Sequence, residues 1–199
     1  MRADGLSRTV PEIRVTALNG DSIRAGGAFV LYWMTAFRRP RFNFSLQRAV
    51  GWSLELNKPL VILEALRCDY PWACERMHAF VLDGMRVNRN SFQGRPLIYH
   101  PYVEEERHGG KGLLECLARS ACVIVTDDYP AFFLPRMVRH AATRTGIRME
   151  AVDSNGILPM KAADRVFGSA YAFRRFLQGH LPDHLPRAPL EDPLDGVNI

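Results

Sequence analysis

The chain has 199 residues, 47% hydrophobic and 24% charged, enough for one globular domain of ordinary size and too few for two. No stretch approaches the roughly 20 apolar residues of a membrane span. Residues 1–10 lack the apolar core of a secretory signal, so the expected setting is the cytoplasm, with no membrane partner. Lys and Arg number 26 against 21 acids, and the resulting net charge of +5 is too modest to mark a nucleic-acid binder by itself.

Residues 1–27 read as a polar leader. The run AFVLYWM over 28–34 is continuously apolar, as in a strand covered on both faces. Phe42, Leu46, Ala49, Val50 and Leu54 then fall on one helical stripe that stops near Asn57. The alternation repeats: PLVILEAL over 59–66 is a second strand, and Met77, Phe80, Val81 and Met85 mark a second helical face. A third strand is expected over 96–100, a short helix over 112–119, and a fourth strand, ACVIVT, over 121–126. Leu134, Met137, Val138 and Ala141 give another stripe, stopped at Gly146 before a fifth strand over 147–152.

Strands separated by helices require crossovers, and right-handed crossovers build a parallel sheet with helices on both faces. The expectation is a doubly wound, Rossmann-like α/β domain over 28–160, with a five-stranded parallel sheet in the order 3-2-1-4-5. A helical extension over 161–185 places Phe173, Phe176, Leu177 and Leu181 on one face. Four prolines between 182 and 193 make 186–199 read as an extended linker or tail.

In such a sheet the ligand crevice lies beyond the carboxyl ends of the strands, where strand order reverses. That selects the loops at Met34 and Thr35, at Glu64 to Leu66, at Thr126 to Pro130, and at Asp153 to Asn155. Asp127 and Asp128 offer acceptors at a strand end, equally suited to a ligand or to starting the next helix. Glu64, inside an apolar strand, requires a partner, and an internal Arg suits it better than a substrate. Arg38, Arg39 and Arg41 follow the first strand and suit an anion, an acidic partner or solvent. Arg136, Arg139, Arg144 and Arg148 suit a solvated helix face better than the alternative, an exposed region that assists DNA association in a longer protein.

The GGKG stretch at 109–112 lacks the Walker spacing and reads as a turn. The six histidines show no HxxxH pair, and no nucleophile-elbow sequence occurs, which leaves no support for an independent hydrolase or transferase. Cys68 and Cys74, like Cys116 and Cys122, are separated by five residues with no CxxC unit, so buried free thiols are expected rather than a metal site. Trp33 and Trp52 suit the core. Trp72 and Tyr129 are the loop aromatics suited to stacking on a planar ring.

The stretches VLYWMTAFRRPRFNFSLQRAV, KPLVILEALRCDYPWACERMHAFVLDGM, VIVTDDYP and AVDSNGILPMKAAD add a resemblance over about 28–185. Together they resemble the amino-terminal domain of class II cyclobutane pyrimidine dimer photolyases, particularly a bacterial branch. Tyr32, Trp33, Met34, Arg39 and Asn43 match one family pattern; Thr126, Asp127 and Pro130, and Asp153, Ile157 and Pro159, match two others. Ala36 and Phe37 stand where the family has an Arg-Asp pair, and Phe132 or Phe133 where it often has a basic residue.

The resemblance implies a light-driven DNA-repair flavoprotein in two parts. An α/β domain can hold an antenna chromophore of the deazaflavin type, and a helical domain, outside this chain, holds FAD and the damaged dimer. The expected partner is that helical FAD-binding domain, in cis or in trans, with damaged DNA engaged only through the full-length protein. The chain is then a fragment or a naturally truncated form, with no repair activity alone. The candidate cofactor-binding set is Met34, Arg39, Glu64, Thr126, Asp127, Asp128, Tyr129, Asp153 and Asn155, with no catalytic group and no metal. The competing expectation is a free-standing nucleotide- or partner-binding module without catalysis.

Overall fold

The computed structural model describes residues 9–198. In chain order it contains Val15–Ala17 (β1), Phe29–Met34 (β2), Phe44–Leu56 (α1), Leu60–Leu66 (β3), Glu75–Phe92 (α2) and Ile98–Val103 (β4). Leu113–Ala118 (α3), Ala121–Asp127 (β5), Leu134–Ala142 (α4), Met149–Val152 (β6) and Ala170–His184 (α5) follow. None of the described helices is long and apolar enough to cross a membrane.

The strands form one six-stranded mixed sheet in the order β1-β6-β5-β2-β3-β4. The five-stranded, wholly parallel sheet of order 3-2-1-4-5 is corrected accordingly. Strands β2 to β6 pair in parallel, and β1 closes the β6 edge in antiparallel register, Val15 opposite Val152 and Ala17 opposite Glu150. The added strand comes from the stretch read as a polar leader. Three residues, Val-Thr-Ala, carry no legible period, and the preceding Arg14 anchors them by its buried side chain.

Alternation along β2 separates two cores. Val30, Tyr32 and Met34 pack with α1 residues Leu46, Ala49 and Val50 and with Phe92 of α2. Leu31 and Trp33 pack on the other face with Ala118 of α3 and Val138 and Ala142 of α4. Asn43 caps α1 by accepting from the Leu46 amide, and Asn57 ends it in the left-handed conformation.

Other expectations need correcting. Of the stripe expected from Met77, Phe80, Val81 and Met85 only Met85 is buried, together with Asn88 and Phe92, so the amino-terminal part of that stripe does not reach the core. Helix α5 has no buried residue; Phe173 and Phe176 pack on Phe167. The proline-rich segment does not trail away, because Leu194 and Val197 enter the α1-side core. Of the four free cysteines only Cys122 is buried; Cys74 and Cys116 are exposed and Cys68 is half-buried.

Candidate functional site

Strand β2 is hydrogen-bonded to β3 on one side and β5 on the other, so chain direction across the sheet reverses there. The carboxyl ends of these three strands carry most of the polar candidates. Asp127, fully buried, accepts from the backbone amides of Thr35, Ala36 and Phe37 at 2.8, 2.7 and 3.0 Å. It also accepts the Tyr32 hydroxyl at 2.8 Å. Its carboxylate thus shapes the turn after β2 instead of facing a ligand. Thr126 is equally internal, donating to the Trp33 carbonyl at 2.9 Å, and Met34 is wholly buried.

Glu64 has the internal Arg partner that its burial requires. Its carboxylate accepts from Arg38 at 3.1 Å, from Asn88 at 2.9 Å and from the Tyr99 hydroxyl at 2.5 Å. Burial first, and then the hydrogen bond to Glu64 and its charge, push the Tyr99 phenol well above its ordinary pKa. Arg38 also donates to the Ala65 carbonyl at 2.7 Å and to that of Thr35 at 3.3 Å. Its position is therefore fixed by three separate groups.

A second polar node lies at the end of β6. Asp153 accepts from the Asn155 and Met160 amides at 2.9 and 2.7 Å and faces Arg14 at 3.8 Å. Arg14 reaches across to the carbonyls of Gly156 and Ile157 and lies over the Phe44 ring. Asn155 ties the Asp128 carbonyl to this loop at 2.8 Å. The Asp128 carboxyl is raised above its ordinary pKa, by burial first and by the charge of Asp153 second. Arg39 is exposed, bonded to the Phe42 carbonyl and, at 3.5 Å, to that of Ser154.

Between the ends of β2, β3 and β5 lies a cavity of about 670 Å³. Six aromatic residues line it: Trp33, Tyr70, Trp72, Tyr129, Phe132 and Phe133. Arg38, Arg67 and Arg76 supply its charge, with no acid among the lining residues. The Tyr129 and Phe132 rings are nearly parallel, at 4° with centroids 6.4 Å apart, and Trp72 meets Phe132 edge-on at 6.0 Å. Trp72 and Phe132 are 75% and 68% exposed, and both hold left-handed backbone, φ 70° and 59°. That conformation is costly for bulky side chains and concentrates at ligand clamps.

Of the residues singled out by sequence, Tyr129, Trp72, Trp33 and Arg38 line this cavity, and Glu64 supports it through Arg38. Met34, Thr126 and Asp127 lie behind it in the core, while Asp128, Asp153, Asn155 and Arg39 gather at the β6 end. Sequence reasoning missed Arg14, Asn88 and Tyr99. Asn88 had a signal, since it lies three residues beyond Met85 on the buried face of α2; Arg14 had none.

Cavities with this lining suit planar aromatic ligands carrying few polar groups. No protein-family model matches the chain. It is similar to the deoxyribodipyrimidine photo-lyase of Methanothermobacter thermautotrophicus, a distant relative 31% identical over 169 residues, which cover 84% of this chain; the chain spans 37% of that protein's length.

Proposed function

We propose that the chain is the amino-terminal α/β region of a cytoplasmic photolyase-type protein, of the class II bacterial branch, whose aromatic cavity holds a planar antenna chromophore of the deazaflavin type. The observation that carries this reading is the six-aromatic cavity at the reversal point of the sheet, within a stretch similar to a photo-lyase.

The residues present fit such a group. The parallel Tyr129 and Phe132 rings offer a stacking surface, and Trp72 covers one side. Arg38, anchored by Glu64 and the Ala65 carbonyl, presents a fixed donor to a ring carbonyl or anionic oxygen. When bound, the chromophore supplies absorption of visible light and passes excitation to a second pigment. The chain's own part is to hold the ring, orient it and exclude water from its faces. FAD, the pyrimidine dimer and the splitting reaction belong to a helical domain, the partner of this region in cis or in trans.

Purified protein incubated with a deazaflavin and passed over a sizing column is the test. A visible absorption band that co-elutes with the protein and shows induced circular dichroism supports the reading. Colourless protein that takes up neither deazaflavin nor flavin overturns it. If that protein also bound an adenine nucleotide in calorimetry, it would be a free-standing nucleotide-binding module.

A further inference from the structure

A second cavity, of about 910 Å³, adjoins the aromatic one and shares with it the wall formed by Arg67, Tyr70, Pro71, Phe133 and Met137. Its chemistry differs. Arg67, Arg107, Arg136, His108 and His140 line it, and Asp69 is the single acid among its lining residues. Asp69 pairs with Arg67 at 3.0 Å and with Arg107, so one carboxylate is shared between two guanidinium groups. Arg136, exposed near the start of α4, has no hydrogen-bond or ion-pair partner among the described residues. A concave surface with an excess of positive charge concentrates its field on an incoming anion, and guanidinium forks match phosphate oxygens.

Resting on the chromophore reading above, we propose that this cationic cavity binds a terminal phosphate on the side chain of the ligand whose ring occupies the aromatic cavity. The shared wall sets the order of the ligand: ring against Tyr129 and Phe132, side chain past Tyr70 and Phe133, phosphate at Arg136 and Arg107. The Tyr70 and Phe133 rings, 6.1 Å apart, give that side chain an apolar surface to cross. The site selects a phosphorylated form over the same ring without its phosphate.

Riboflavin and FMN are suitable probes because they share one ring and differ only in the phosphate. Their binding to the full chain is followed by quenching of flavin fluorescence. FMN is expected to bind about tenfold more tightly, the equivalent of one charge-assisted hydrogen bond. In Arg136→Ala that advantage shrinks to about threefold or less while riboflavin affinity stays unchanged, and added salt weakens FMN alone. Equal affinity for the two probes overturns the phosphate site and leaves the chromophore reading standing. An FMN preference untouched by Arg136→Ala also overturns it. Binding of neither flavin overturns the phosphate site, and where the protein takes up no deazaflavin either, the chromophore reading falls with it.

Discussion

Asp127 and Tyr32 meet at 2.8 Å across the β2–β5 pair, a buried carboxylate accepting a buried phenol. Burial first, then the Asp127 charge, push the Tyr32 hydroxyl well above its ordinary pKa, which favours the protonated phenol that donates to the carboxylate. The same carboxylate takes three successive amides of the turn after β2, and this one side chain organises the loop that leads to the aromatic cavity. Asp127→Asn places an amide donor among groups that are themselves donors. The expected cost is about 2–4 kcal/mol of folding stability, read from urea denaturation. An unchanged denaturation midpoint would show that the turn does not depend on this carboxylate.

Gly27 provides a steric test of the sheet. A Cβ at this position would lie 2.7 Å from the Ala121 carbonyl carbon and 2.7 Å from the Cys122 nitrogen, both backbone atoms that cannot rotate away. Gly27→Ala is expected to lower stability by about 1–3 kcal/mol through overpacking where β2 begins. Gly26→Ala meets no atom within 4 Å and serves as the control. Equal thermal midpoints for the two variants would contradict the close approach.

Two carboxyls give the fold an acid response of opposite sign. Burial works to raise the Glu150 pKa, but hydrogen bonds from Arg48 and Trp52 and the charges of Arg48 and Arg148 outweigh it, leaving the carboxyl below its usual 4.5. Stability from such a group is fully present above the unfolded value and is lost as pH falls through the folded one. Glu150→Gln should therefore be less stable than the parent at pH 7 and converge on it in strong acid.

Asp128 is the reverse case. Its pKa is raised, so the ionised form costs stability that protonation restores, and the favourable contribution is lost as pH rises through the folded value. Asp128→Asn should be more stable than the parent at pH 7 and lose that advantage below pH 3.8, the carboxyl's ordinary value. Denaturation curves at both pH values check each sign.

Trp72 separates binding from folding. The side chain is 75% exposed and its backbone is left-handed, which glycine adopts freely. Trp72→Gly should leave the urea midpoint equal to or above that of the parent. Retention of a deazaflavin or flavin on a sizing column should fall severalfold. Full retention would remove Trp72 from the clamp.

The physical contrast between strands explains what the sequence made legible. LVIL in β3 and ACVIV in β5 are buried on both faces, so their continuous apolar runs declare them. Edge strand β1 is three residues long and depends on Arg14, a contact that no local pattern encodes. At the site, loop position and ring chemistry were enough to mark Trp72 and Tyr129. The carboxylates were harder, because a strand-end Asp announces only that it needs partners. Asp127 finds backbone amides, Glu64 finds Arg38, Asn88 and Tyr99, and Asp153 finds Arg14, all through distant folding. Amphipathic spacing overstated α2, whose amino-terminal half stands clear of the sheet.

The return of the chain after α5 carries a consequence for dissection of the molecule. Leu190 bonds to Gln47, Asp192 pairs with Arg95 at 2.6 Å, and Leu194 and Val197 plug the α1-side core. Helix α5 is therefore an arm sewn down at both ends, by the Asp153 knot before it and this seam after it. Cutting the polypeptide at residue 187 would unstitch the seam and wet the interior, whereas splicing a short bridge in place of the arm would leave the body sealed.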